Sequence, residues 1–266
     1  MEFLFSPLFS SSSGNALYIS AGGVQILVDA GGTGAQMEAA LKAISVDAGT
    51  LDAILITHEH SDHIKSAGTL SRKYDIPIYA NPATWRAMDS KVGNISEKNR
   101  KLFNQSFYIK EMLVEPFSIP HDAADPVCYA VSHGGVKLAS LTDLGHATKR
   151  LLSKLEGASV VLLEANHDEH MLKNGSYPQY LKQRILSTHG HLSNVMAARA
   201  AHELVMLGVK GIMLAHLSEQ NNTPEAAYQE VSEYLKKNGI EVGRHVALNV
   251  LKKECDALVY HIGGSV

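Results

Sequence analysis

At positions 57–63 the chain reads THEHSDH, directly after the apolar run AILI, so His58, His60, Asp62 and His63 crowd into a few residues. Neutral imidazole nitrogens and ionised carboxylates are ligands of divalent metals such as zinc, and a strand that ends in a turn can present several of them to one point. His58 and His60, two apart, share one side of an extended segment. Asp62 and His63 lie past the strand end and face a second point nearby. The pattern predicts two metals rather than one, with further ligands from distant segments, because so short a stretch of backbone cannot surround two ions.

The same device recurs along the chain. VQILVDAG puts Asp29 at the end of an apolar run, FSIPHDAADP puts His121 at another, LASLTDLGH puts Asp143 at a third and GIMLAHLSEQNN puts His216 at a fourth. Each run reads as a buried strand that delivers one polar side chain to its C-terminal end. A rim of rigid strand ends is what a metal site requires.

The elements that must do this positioning are short. FLFSPLF, NALYI, VQILVD and AILIT read as strands separated by Ser, Gly and Asn turn signals, with a helix-spaced MEAALKAIS before AILIT. IPIYA, MLVEPFSIP, CYAVSH, VKLASLTD and SVVLLEA form a second series, with Gly134-Gly135 as a hairpin signal. Helices are predicted at TLSRKY, ATKRLLSKLE, SNVMAARAAHELVML and PEAAYQEVSEYLKK, the last two stopping near Gly208 and Gly239. The pattern predicts an α/β fold in which two sheets pack face to face with helices outside, an αββα sandwich, as one domain spanning residues 1–266.

Composition narrows the function class. Of 266 residues, 45% are hydrophobic, enough for a sizeable core, and the formal charge is −3 with no basic run. Extended wrapping of nucleic acid by a basic surface is therefore not indicated. Cys128 and Cys255 stand far apart in no CxxC spacing, which predicts neither a disulfide framework nor thiolate ligation. The start MEFLFSPLFSSSSGN lacks a basic leader and is interrupted by Pro7 and serines, so it reads as strand plus loop. No run is long enough to cross a bilayer, and a cytoplasmic protein is expected.

THEHSDH with Asp29, His121, Asp143 and His216 resembles the motif set of the metallo-β-lactamase-fold hydrolases over essentially the whole chain, with two mixed β-sheets flanked by helices as the implied fold. SSSSGN, TDLGH, GHLSN and LAHLSEQNNTPE resemble the YycJ/WalJ branch, exonuclease-like phosphodiesterases of bacteria. The resemblance implies that His58, His60 and His121 hold one divalent ion and Asp62, His63 and His216 a second, with Asp143 bridging and Asp29 behind the loop orienting ligands. The ions would be zinc, manganese or iron. His60 stands where flavodiiron relatives carry glutamate, which implies hydrolysis rather than redox chemistry.

HLSNVMAA is similar to the HxTxxxA motif of ribonuclease Z-like phosphodiesterases, implying that His191 binds the scissile phosphate and Glu164 partners it. A helix N-cap at Ser193 or Asn194 would let the imidazole and free amides converge on an anion. Ser12, Asn15 and His146 are candidate substrate contacts, and Trp85, Tyr177 and Tyr180 are candidate stacking residues more readily explained by packing. About seventy residues separate Asp143 from His216, too few for the inserted domain of the β-CASP nucleases, and a long exosite arm for transfer RNA is lacking. The expectation is an exonuclease acting on DNA ends, with Asp62 orienting the attacking water or accepting its proton, in the company of repair proteins. The alternatives are a thioester or lactone hydrolase of glyoxalase II type, which would not need His191, and a non-catalytic metal-binding interaction module.

Overall fold

The structure, a computed structural model, describes residues 2–11, 14–251 and 258–263, so Ser12 and Cys255 lie outside the described residues. Among the described residues the strands form two seven-stranded sheets. The first is built from β1 (Phe3–Ser11), β2 (Gly14–Ala21), β3 (Val24–Val28), β4 (Ala53–Leu55), β5 (Ile78–Ala80) and β6 (Arg100–Leu102). The second holds β7 (Phe107–Ile109), β8 (Met112–Ser118), β9 (Val127–His133), β10 (Val136–Leu141), β11 (Val160–Glu164), β12 (Gly211–Ala215) and β13 (Ala247–Val250). Last in the chain, β14 (Tyr260–Ile262) returns to pair antiparallel with β1.

Each sheet begins as an antiparallel meander and continues as parallel strands: β3, β4, β5 and β6 in one, β10, β11, β12 and β13 in the other. Parallel strands need covered faces. The outer face of the first sheet is covered by α1 (Gly34–Ala43), α3 (Ala67–Tyr74) and α4 (Pro82–Val92), with the four-residue α2 (Ser61–Ile64) at its rim. The second is covered by α5 (Lys149–Leu152), α8 (Asn194–Met206) and α9 (Pro224–Lys237), while α6 (Glu169–Asn174) and α7 (Gln179–Ile185) lie between β11 and α8 in sequence. A central apolar layer, including Phe5, Ile26, Tyr129 and Leu138, joins the two sheets face to face. Two mixed sheets flanked by helices is the expected αββα architecture.

Local chemistry explains the boundaries. Thr33 and Gln36 form a capping box at the start of α1, and Gly208 and Gly239 follow α8 and α9 at φ 85° and 78°. Gly134 and Gly135, both at positive φ, turn β9 into β10 as the sequence predicts. Two departures stand out. The first strand runs through Pro7 and the serines as far as Ser11, because a register shift between Pro7 and Phe9 absorbs the missing N–H and β14 pairs only with Phe3–Phe5. The helix expected over ATKRLLSKLE is four residues long, continued only by a 3-10 turn. No helix among the described residues is long and apolar enough to cross a membrane.

Candidate metal centre

The site sits where strands of both sheets end. Asp29, Asp143 and His216 each follow a buried strand and take the left-handed conformation, φ 62°, 58° and 57°. Asp and His tolerate that region better than most residues, and its use at a strand end turns the side chain to the rim. Between them, the loop after β4 and the short α2 that follows carry Thr57 to His63, and the loop after β8 carries His121.

Ligand atoms of His58, His60 and His121 lie within 4.8 Å of one another, as do those of His58, His63 and Asp143, and those of Asp143, Glu164, His191 and His216. His63 Nε2 is 3.4 Å from Asp62 and 3.6 Å from Asp143, and His216 Nε2 is 3.5 Å from the other Asp143 oxygen. Every expected ligand is therefore in one contiguous cluster, with Asp143 touching both halves. Asp62 is its most open carboxylate, 26% exposed. Asn15 on β2 reaches the same corner, its Nδ2 lying 3.3 Å from Asp62 and 3.1 Å from His63.

The donor set suits divalent cations. Asp143 Oδ2, His121 Nδ1 and His216 Nδ1 are buried without a hydrogen-bond partner, a costly state for polar atoms unless a cation answers it. Burial pushes His58 and His121 below the usual imidazole range, which keeps them neutral. Burial alone would raise the Asp143 carboxyl, but the imidazoles of His216, His63, His58 and His121 hold it well below the usual carboxylate range. His63 goes the other way: burial alone would lower it, but the charges of Asp29 and Asp143 and the hydrogen bonds of Asp29 and Asp62 push it well above the usual imidazole range, so a metal at this ring has to displace a proton.

Asp29 lies behind this cluster. It accepts from the amide (2.9 Å) and hydroxyl (2.8 Å) of Thr57 and sits 2.8 Å from His63 Nδ1. The Thr57 hydroxyl, having donated to Asp29, is left to accept from His58 Nδ1 at 3.0 Å. Asp29 thus bears on the His63 ring directly and on the His58 ring through Thr57, the orienting place that the resemblance implied for Asp29; Thr57 is the member that the sequence pattern did not signal. Ser10 is another residue missed: its hydroxyl accepts the His216 amide at 3.0 Å, while Asn166 donates to the His216 carbonyl at 3.1 Å.

Beside the cluster, His191 Nδ1 lies 2.8 Å from Glu164 Oε1. Glu164 is fully buried and also accepts from the amides of Asp143, Leu144 and Leu192. Burial alone would lower His191; the charge and hydrogen bond of Glu164, with Asp143 nearby, push it up to about 9. The start of α8 has fewer amides for an anion than expected: Met196 donates to the Ser193 cap and Asn194 to the His167 carbonyl, and just before the helix Leu192 donates to Glu164. His146 turns its Nδ1 to the Thr188 carbonyl, 3.2 Å away. Trp85 is buried and donates to the Lys101 carbonyl, a packing role, whereas Tyr180 is 73% exposed.

Residues 25–217 match the family model described as a beta-lactamase superfamily domain. The chain is 43% identical over 245 residues to exodeoxyribonuclease YycJ of Bacillus anthracis, covering 91% of this chain and 93% of that one. It is 39% identical to exodeoxyribonuclease WalJ of Streptococcus pneumoniae, with 91% of each chain covered. Among solved structures it resembles the metallo-beta-lactamase fold protein YhfI from Bacillus subtilis, TM-score 0.74 at 17% identity over 98% of this chain and 100% of that one. Zinc-bound PqqB from Methylobacterium extorquens has the same fold, TM-score 0.69 at 16% identity over 97% and 99%. With its relatives alike along nearly their whole length and its ligand cluster at the shared rim of two sheets, the chain belongs to the YycJ/WalJ-like proteins of the metallo-β-lactamase fold and is a metal-dependent hydrolase.

Proposed function

We propose that the chain is a dinuclear phosphodiesterase that shortens DNA from an end. The observation that carries this reading is the His191–Glu164 pair beside the metal cluster, because a half-buried cationic imidazole at the edge of the site suits a phosphodiester and is superfluous for a thioester or lactone. Its likeness to two exodeoxyribonucleases supports DNA as the polymer. His58, His60 and His121 would hold one divalent ion and Asp62, His63 and His216 the other, with Asp143 between. The ions, zinc, manganese or iron, would supply Lewis acidity and an acidified water at neutral pH.

The chain's own residues do the rest. His191 keeps its Nδ1 proton on Glu164 and presents Nε2–H to a non-bridging phosphate oxygen, donating most strongly as charge builds there. Asp62, open to solvent, accepts the proton of the attacking water, while the Asn15 amide restrains its carboxylate.

End-labelled single- and double-stranded DNA and RNA, incubated with protein reloaded with manganese or zinc, test the reading. Metal-dependent shortening of DNA from one end is expected, falling about 100- to 1,000-fold in kcat for His191→Ala, with Asp143→Ala losing metal and activity together. Intact strands alongside hydrolysis of a thioester or lactone would overturn it.

A further inference from the structure

Next to His191 the surface sinks into a pocket of about 180 Å³ lined by Asp122, Asn166, Tyr177, Leu181, Arg184 and Ser218. We propose that this pocket holds the phosphate of the nucleotide flanking the one being cut, with Arg184 as its cationic contact and the sugar against Tyr177 and Leu181. The inference rests on the phosphodiesterase reading and adds to it a residue that decides which ends are accepted.

Size and continuity come first. Pockets that enclose a whole small ligand run to about 300–1,000 Å³, so this one takes a single unit of a larger substrate. It is joined to the metal cluster on two sides. His191 lines both, and Asp122, the residue after His121, lies 3.4 Å from His121 Nε2 with its other oxygen 2.5 Å from Arg184 Nε. A substrate unit in the pocket is therefore adjacent to the reacting phosphate.

Its chemistry favours an anion. One carboxylate, Asp122, faces a guanidinium and the His191 imidazole. Arg184 uses Nε for Asp122, and its terminal NH2 groups make no hydrogen bond with the described residues, leaving a fork that matches phosphate oxygens. The ion pair is 53% and 35% exposed, a weak tie that leaves the guanidinium available. Ser218 Oγ accepts the Asn221 amide at 3.3 Å, which leaves its own proton to donate. The Tyr177 hydroxyl has no partner among the described residues, and its ring with Leu181 gives the sugar an apolar wall. The same helix α7 also carries the exposed Tyr180, while Lys182 spends its ammonium on the carbonyls of Lys173 and Gly175 and leaves Arg184 as the cation of the pocket.

The phosphate can come from two sources, an internal linkage or a phosphorylated end, and substrate arms separate them. Metal-loaded wild type, Arg184→Ala and Arg184→Lys are compared on bis(p-nitrophenyl) phosphate and on short DNA strands carrying a 5′-phosphate, a 3′-phosphate or hydroxyls at both ends. Binding of the same strands with a phosphorothioate at the cut position is followed by fluorescence anisotropy. Arg184→Ala should lose at least tenfold more in kcat/KM and in affinity on DNA than it loses on the single phosphodiester, with partial recovery in Arg184→Lys. A loss confined to one phosphorylated end identifies the terminal phosphate; an equal loss on every strand identifies the internal one. Equal losses on DNA and on the single phosphodiester, or none, would overturn the pocket. Wild type that binds strands through Arg184 but cuts no phosphodiester would leave the pocket standing and overturn the nuclease instead.

Discussion

Glu164 has four donors and no solvent: the amides of Asp143, Leu144 and Leu192 and the ring of His191 all end on its carboxylate. Glu164→Ala leaves these groups buried without an acceptor, at about 1–3 kcal/mol each where nothing replaces it. A loss of roughly 4 kcal/mol or more in denaturant melts is expected, against about 2 or more for Glu164→Gln, which keeps two of the contacts. The pair also sets a pH dependence. The folded pKa of His191, about 9, lies above its ordinary value of about 6.5, so the stabilisation is complete below pH 6.5, declines as pH rises and is gone above 9. Melts from pH 6 to 10 should show wild type losing on the order of 3 kcal/mol more than His191→Gln, and activity should fall through pH 9 in wild type. Glu164 and Asp29 were legible through the resemblance, but the neutral partners of the ligands were not. Histidines and aspartates at strand ends announce themselves by type and spacing, whereas Ser10, Thr57 and Asn166 act on backbone groups or on another residue's ring, and a hydroxyl or amide in a loop has no spacing that distinguishes such work from an ordinary turn.

At the scale of elements, what matters is how closely the loops carrying ligands are packed. Gly31, just past β3, lies so near the loop after β4 that a methyl group would overlap the carbonyl oxygen of Asp62 and the amide of Asn15. Gly31→Ala must push the ligand loop outwards, and tenfold or weaker metal binding with more than about 2 kcal/mol of destabilisation is expected, read by metal content after dialysis and by melting. Gly134→Ala is the control. That glycine turns the β9–β10 hairpin at φ 58° with nothing near its Cβ position, so the variant should cost about 1 kcal/mol and leave metal content unchanged. Equal metal loss in both would refute a local effect. The hairpin was legible because paired glycines between alternating runs have one reading. The α6–α7 segment, which carries Arg184, was not: it holds two short helices with little apolar periodicity, and their place beside the site is fixed by tertiary contact. Three-residue strands such as β6 and β14 are likewise too short for any period to show, although β14 adds an edge to the first sheet beside β1.

The whole molecule is a doubled motif, and the doubling explains where a metal would act. GGVQILVDAG turns and runs to Asp29 as GGVKLASLTDLG turns and runs to Asp143, each through two glycines at positive φ and each ending at an aspartate near φ 60°. The αββα arrangement could be anticipated from the two batches of strands, but this internal correspondence needs the sheets side by side to be seen. His58, His60, Asp62 and His63 come from the first sheet, and His121, Asp143 and His216 from the second, so each expected ion would tie one sheet to the other. Among the described residues the direct bonds that do so near the site include the Val127 amide to the Thr57 carbonyl, the Tyr129 hydroxyl to the Ile56 carbonyl, the His216 amide to Ser10, the Ala124 amide to the Glu59 carboxylate and the Asn81 side chain to the Asp125 carbonyl. Metal removal should therefore weaken the joint between the halves as well as stop catalysis. Binding to the folded state alone adds about 4 kcal/mol at free metal a thousandfold above Kd, roughly 10 °C for a chain of this length. Calorimetry with buffered metal should show the midpoint rising with free manganese or zinc, with stability increasing by about 1.4 kcal/mol per tenfold for each ion site that is saturated. Asp143→Ala, which removes the carboxylate shared by both sets, should abolish that slope, and a midpoint indifferent to metal in the wild type would mean that the cluster does not join the sheets through an ion.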